Sequence, residues 1–177
     1  MLIGDSIKTD LRERYLGKGF SSHYMRSIGV DFALYEKTIS DKTIKFQIWD
    51  IDLAKYVTEN KKSVIPHGVG GIILVINAEK PASITEVEQQ IKLIRDQTVI
   101  HILSIIIVCV QETLTEEPIF CYSSDEIEEL TKKCESLNSK DSEFDIRYLH
   151  VNLTNSQEIY SLFETLGRMY LENLEFL

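Results

Sequence analysis

Lys8 and Thr9 are the residues whose types and spacing could do chemistry. They stand in "MLIGDSIKTDL" (1–11), behind a short apolar stretch and Gly4, at the start of a helical pattern. A lysine and a hydroxyl at a helix N-terminus suit a phosphate and its Mg²⁺, because backbone N–H groups and the helix dipole favour an anion there. The phosphate-loop pattern is G-x4-G-K-[ST]. Here four steps separate Gly4 from Lys8, where the pattern has six, and the second Gly is missing. At about 3.3–3.6 Å per extended residue, the shortening removes roughly 7 Å of chain. Ile7 places a β-branched side chain where the pattern has a Gly for close approach. Two readings follow. One is a distorted anion site using Lys8 and Thr9. The other is a plain strand-to-helix turn, with Asp5 or Ser6 as N-cap and Lys8 solvated. An acid at the cap would occupy the place where a phosphate sits.

The elements that must position these residues alternate in kind. "MLI" is a stub of strand, and "KTDLRERYLGKG" is a helix closed by Gly17 or Gly19. Two alternating runs flank Asp41-Lys42 as a hairpin, with Ile44, Phe46 and Ile48 facing one way and Lys45, Gln47 and Trp49 the other. "GGIILVIN" and "LSIIIVCV" are continuous apolar runs, as in strands buried on both faces. Between them, "PASITEVEQQIKLIRD" carries a capping box, Ser83 to Glu86, and the stripe Ile84, Val87, Ile91, Ile94. "SSDEIEELTKKCESL" is a helix with the stripe Ile127, Leu130, Cys134, Leu137, and "IRYLHV" is a strand. The final helix, "NSQEIYSLFETLGRMYLENL", is expected to bury Ile159, Leu162, Phe163, Leu166 and Tyr170. Strands alternating with helices imply an α/β domain: a doubly wound, mostly parallel six-stranded sheet with one antiparallel edge strand and about five helices. Ligands of such sheets bind at the carboxyl ends of the strands, here after Ile3, Asp50, Asn77, Val110 and Val151. One oddity is that the first strand should be central, yet only Met1, Leu2 and Ile3 supply it.

Composition narrows the function classes. The 177 residues suit one domain, 1–177, without linker tracts or repeats. A net charge of −9 with no Lys/Arg block argues against nucleic acid. The apolar run 102–110 is too short to span a bilayer, and the residues "LENLEFL" offer no Cys for a prenyl group. A soluble, cytoplasmic protein without a direct lipid anchor is expected. Cys109, Cys121 and Cys134 are odd in number and not closely paired, which fits core packing in a reducing compartment better than a disulfide or zinc framework. The four His are far apart and show no metal-ligand spacing.

Read together, "LIGDS…KT", "LRERYLGKGF…YMRSIGVDF", "TIKFQIWD", "GVGGIILVINAEKPASITEVEQQI" and "YSLFETL" resemble the Ras-like small GTPases, most of all the Rab-type branch. "RERYLGKGF" and "IGVDFA" are similar to archaeal relatives of that branch. The resemblance covers nearly the whole chain, in order. It implies a nucleotide site of Gly4, Asp5, Lys8, Thr9, Ser27 and Asp50, with Thr9, Ser27 and Asp50 serving Mg²⁺, and GTP or GDP with Mg²⁺ as cofactor. It also implies protein partners on the switch face and the hairpin, at Phe32, Tyr35 and Trp49.

Family function rests on five motifs, and this sequence departs from four. The phosphate loop is short. The switch I hydroxyl is kept, as Ser27. D-x-x-G-Q becomes Asp50-Ile51-Asp52-Leu53-Ala54, so Ala54 has nothing to orient an attacking water and Leu53 crowds the γ-phosphate's approach. N-K-x-D becomes Val110-Gln111-Glu112-Thr113. Losing both contacts of the base-reading Asp would cost about 3–6 kcal/mol, or about 10²–10⁴ in affinity. S-A-K becomes Asn152-Leu153-Thr154. The expectation is a non-catalytic, Ras-like pseudo-GTPase acting as an interaction or scaffolding module, without cofactor or metal. The alternative is an atypical small GTPase that still binds GTP or GDP with Mg²⁺ as a switch, with little hydrolysis. Trp49 either marks the partner face or lies as core beneath switch II.

Overall fold

The computed structural model describes residues 1–17, 30–51, 68–97, 102–112, 117–138 and 143–174. Six strands make one sheet: β1 (Leu2–Gly4), β2 (Val30–Ile39), β3 (Lys42–Ile51), β4 (Gly71–Asn77), β5 (Ile102–Gln111) and β6 (Glu143–Asn152). Four helices are present among the described residues, α1 (Lys8–Leu16), α2 (Ile84–Gln97), α3 (Ser124–Glu135) and α4 (Ser156–Leu174), against the expected five or so. The strand order is β2-β3-β1-β4-β5-β6. Only the β2–β3 pair is antiparallel, so β2 is the single antiparallel strand and lies at an edge, as the hairpin pattern requires.

The sheet is covered on both faces because β4 and β5 are apolar at nearly every step and cannot tolerate water on either side. Ile72, Leu74 and Ile76 of β4 pack under α2 and α3, which bring Val87, Ile91, Ile94, Leu130 and Cys134. Ile73 and Val75 point the other way, under α1 and α4, which bring Leu11, Tyr15, Ile159, Leu162, Phe163 and Met169. Tyr15 of α1 stacks on Phe163 of α4, with ring centroids 3.7 Å apart. The capping boxes form as the sequence implies. Ser83 Oγ accepts the Glu86 N–H at 3.3 Å and Glu86 accepts the Ser83 N–H at 2.8 Å. Ser123 and Glu126 do the same at the head of α3.

Two sequence expectations need correction. The hairpin turn is Ser40-Asp41, one residue earlier than the Asp41-Lys42 reading, since Ile39 pairs with Lys42. Both turn residues have positive φ, 49° and 61°, the two-residue turn whose twist matches its strands. In α4 the buried face ends on Met169, while Tyr170 is 36% exposed.

β1 is central despite its length, pairing in parallel with β3 at Leu2–Asp50 and with β4 from Leu2–Ile73 to Gly4–Val75. Beyond its first residue, β3 and β4 flank a cleft of about 360 Å³, with Phe46, Trp49, Val69, Phe163 and Tyr170 in its walls. Gly4 ends β1 at φ 102°, and a Cβ there would lie 2.2 Å from the Val75 carbonyl oxygen. A side chain at this position meets backbone that cannot yield. Gly4→Ala is expected to cost about 3 kcal/mol. A thermal melt should fall by roughly 6–12 °C, and an unchanged melt would contradict this placement of β1.

Candidate functional site

The turn from β1 to α1 has three residues, Asp5, Ser6 and Ile7. Ile7 is buried and packs into the core beneath α1, which draws the turn tight against the sheet. Four amide groups in and just after this turn are spent internally. Asp5 N–H donates to the Val75 carbonyl at 2.9 Å, and Ile7 N–H donates to Asp5 Oδ1 at 3.0 Å. Lys8 N–H donates to the Asp5 carbonyl and Thr9 N–H to that of Ser6, each at 3.1 Å. Neither Asp5 nor Ser6 takes the N-cap position, which falls on Ile7. Asp5 instead closes the turn just ahead of it, accepting the Ile7 N–H on its carboxylate.

Lys8 is not solvated. It is 6% exposed, and its Nζ lies 3.5 Å from Asp50 Oδ1. Arg12, one turn further along α1 and equally enclosed, brings a guanidinium nitrogen to 3.5 Å from Asp50 Oδ2. Thr9 Oγ1 donates to the same Oδ2 at 2.9 Å. Asp50 is itself 6% exposed, at the point where β3 passes closest to α1. Residues forty-one positions apart thus meet, and Gly4, Asp5, Lys8, Thr9 and Asp50 converge at one end of β1. Ser27 lies outside the described residues, as do Asp52, Leu53 and Ala54. Arg12 went unnoticed in the sequence. The signal was there, since Lys8 and Arg12 are i, i+4 and share one helix face.

The carboxyl ends of β5 and β6, further along the same rim of the sheet, carry a second polar cluster. Gln111, fully buried at the tip of β5, accepts the Ile119 N–H on Oε1 at 2.8 Å and donates from Nε2 to the Glu117 carbonyl at 3.3 Å. His150 Nε2 sits 3.1 Å from the same Oε1. Partial burial pushes the His150 pKa down, against an opposing pull from Glu158. Asn152 Oδ1 accepts the Thr154 N–H and hydroxyl at 2.9 and 2.8 Å, and Arg14 of α1 reaches the Leu153 carbonyl at 2.9 Å. Thr113 is outside the described residues.

Cys109 and Cys121 form a disulfide, which overturns the expectation that all three cysteines are packing thiols. Only Cys134 is free, and burial pushes its thiol up to about 11. The sequence separation of twelve hid the pair. Cys121 lies beside Cys109 because Glu117 and Ile119 are tied to Gln111 at the end of β5. Among the described residues no group of His, Cys, Asp and Glu could hold a metal ion, and no helix is long and apolar enough to cross a membrane.

On the hairpin, Phe32 and Trp49 are cross-strand partners in edge-on contact, with centroids 5.1 Å apart. Leu34, two residues along on the same face, is 51% exposed. Trp49 is partly buried, leaning on the core beneath α2 and α3. Tyr35 projects from the opposite face and packs against Tyr15, with centroids 4.8 Å apart. The three aromatics singled out in the sequence therefore do not share one surface.

Two outcomes test this geometry. Asp50→Ala leaves two buried cations facing each other without their anion. It should cost about 3–5 kcal/mol, an expected fall in melting temperature of roughly 6–20 °C. Exposed Lys132→Ala, on a solvated i, i+4 pair, serves as the control and should change the melt little. For the cysteines, alkylation of the denatured protein before reduction should label only Cys134, and alkylation after reduction all three. Three labels without reductant would remove the disulfide.

Comparison with known proteins adds the lineage. The Ras family pattern matches residues 1–172. RABA1f of Arabidopsis thaliana is 33% identical over 103 residues, covering 55% of this chain and 46% of the relative. Rab-13 of Rattus norvegicus is 34% identical over 101 residues, covering 54% and 48%, and Rab7 of Drosophila melanogaster is 40% identical over 52 residues, covering 28% and 25%. The matched segments thus span at most about half the length of these relatives. The family match runs over nearly the whole chain, with the strand order and the convergence of Lys8, Thr9 and Asp50 just described: this protein belongs to the Ras family.

Proposed function

We propose that this Ras-family protein is a non-catalytic interaction module whose nucleotide site has been turned into structure. The observation that carries the reading is the fate of the amides in the β1–α1 turn. A phosphate cradle needs backbone N–H groups aimed outward at the anion. Here the N–H groups of Asp5, Ile7, Lys8 and Thr9 all end on protein oxygens. The carboxylate of Asp5 does locally what a phosphate oxygen would do. Asp50 likewise stands where an anion or metal would compete, matched by Lys8, Arg12 and Thr9. Gln111 turns its amide inward to Glu117 and Ile119, which leaves its polar atoms engaged at the strand end where a base would be read. These residues do not fit GTP, GDP or Mg²⁺.

Partner binding then falls to the hairpin. Phe32, Leu34 and Trp49 form an apolar row on one face of an edge ribbon, rich in the large side chains that anchor interfaces. Tyr35 supports that ribbon from behind through Tyr15 rather than meeting a partner directly. One observation favours the alternative, a nucleotide switch without efficient hydrolysis: Lys8, Thr9 and Asp50 do come together, with Thr9 Oγ1 on Asp50.

A thermal shift separates the two. Ligand at 100 times Kd adds about 2.7 kcal/mol, roughly 5–10 °C at this size. With millimolar GTP or GDP and Mg²⁺ the melting curve is expected to stay flat, and denatured extracts of the purified protein should release no nucleotide. A shift of several degrees, or a stoichiometric nucleotide in the extract, would overturn the proposal in favour of the switch. For the partner face, Leu34→Glu should abolish co-purification of a bound protein while leaving the melt within about 1–2 °C. Undiminished co-purification would clear the hairpin of that role.

A further inference from the structure

The bond between Cys109 and Cys121 ties two very different environments together. Cys109 is fully enclosed on β5, whereas Cys121 is partly exposed on the chain that returns over the strand end. The chain between Glu117 and Tyr122 is held at three places. Gln111 takes Glu117 and Ile119, the disulfide takes Cys121, and Tyr122 donates its hydroxyl to the Ala82 carbonyl at the head of α2. Between these anchors lie Ile119 and Phe120, 37% and 63% exposed, and the Phe120 ring sits 5.6 Å from that of His150. Residues 117–122 therefore lie beside Gln111 and the His150 ring, and one of their three fastenings is a bond that thiols can open.

We infer that Cys109–Cys121 is a reversible thiol–disulfide latch that fixes residues 117–122 beside the Gln111–His150 cluster, opened by a protein dithiol of the thioredoxin kind. The geometry dictates the direction of attack. Cys109 is fully enclosed and Cys121 is the partly exposed member of the pair, so the reductant's thiolate forms its bond at Cys121 Sγ. The S–S bond breaks with its electron pair going to Cys109 Sγ. The Cys121 N–H lies 3.0 Å from Cys109 Sγ and stabilises the departing thiolate. The second thiolate of the reductant then attacks the mixed disulfide and releases Cys121, and the two protons carried by the dithiol end on the two cysteines. The dithiol leaves oxidised and the protein gains two thiols. Once protonated, Cys109 can donate to the Ile119 carbonyl, 3.5 Å from its sulfur, a weak contact in place of a covalent one. The opening step needs neither the Asp50 cluster nor the hairpin.

Hydrogen exchange of the folded protein with and without a dithiol reductant tests the latch. Amides of 117–122 are expected to exchange faster in the reduced form, by roughly 10- to 100-fold, the upper figure being the loop-closure constraint of a ring this size. Amides of β4 should keep their protection. Cys121→Ser without reductant should reproduce the reduced wild type, and oxidised glutathione should restore slow exchange to the wild type alone. Equal protection of 117–122 in both redox states would show that the Gln111 and Tyr122 contacts hold the loop unaided and would overturn the inference. A bond that the folded protein neither loses to thioredoxin nor regains from oxidised glutathione would overturn it too, leaving a permanent staple.

Discussion

A carboxylate taken out of water must be matched by positive charge, and Asp50 is such a carboxylate. Its two oxygens face Lys8, Arg12 and Thr9, all on the first turns of α1, so the cluster fixes how that helix sits against β3. Much follows from this one match. α1 can lie flat on the sheet only if the chain leaves β1 abruptly, and Gly4, with its positive φ and no side chain, permits that exit. The same placement carries Tyr15 onto Phe163, which joins α1 to α4 and closes one face of the core. A pair of buried cations around one anion is not a strong source of net stability, since desolvation offsets most of the attraction. What it supplies is position: no other register of α1 would leave Asp50 satisfied.

The same economy runs along the carboxyl ends of the strands, where open backbone and polar side chains normally receive ligands in folds of this kind. Asp5 accepts the Ile7 amide, Asn152 accepts Thr154, and Gln111 accepts Ile119. Each gives a polar group of this rim an internal partner from a residue two to eight positions away. Short-range side-chain bonds of this sort form without ordering a distant element, so they compete well with a dissociable ligand. These bonds tie the rim to its own chain, while the row on β2 and β3 keeps apolar side chains outward.

How much of this was readable depends on range. Local patterns carried well: the Ser83–Glu86 and Ser123–Glu126 boxes, the apolar runs of β4 and β5, and the alternation that sets Phe46 and Ile48 against Trp49 all reflect neighbours within a few residues. Phase slipped where a single residue decided it. Ser40 can adopt positive φ as Asp41 can, and the turn took both; Met169 rather than Tyr170 completed the buried stripe of α4. The larger misses are contacts between distant positions. Lys8 reads as a solvated helix-start lysine until Asp50 is brought beside it, and Cys109 and Cys121 read as unrelated thiols until the chain after β5 folds back. Tyr35 reads as a neighbour of Trp49 on the hairpin, but alternation across the pleat sends it to the opposite face.

The chain holds a single tryptophan, and it sits on β3 against Phe32, at the apolar row of the hairpin. Its fluorescence is therefore a spectroscopic window on one ribbon of the molecule. A partner arriving on that ribbon changes the indole's surroundings directly. The cysteine-bridged loop lies at β5, across the sheet from β3 beyond β1 and β4, so its opening leaves the emission dark to the event. A change in emission can consequently be assigned to the hairpin, without any added label.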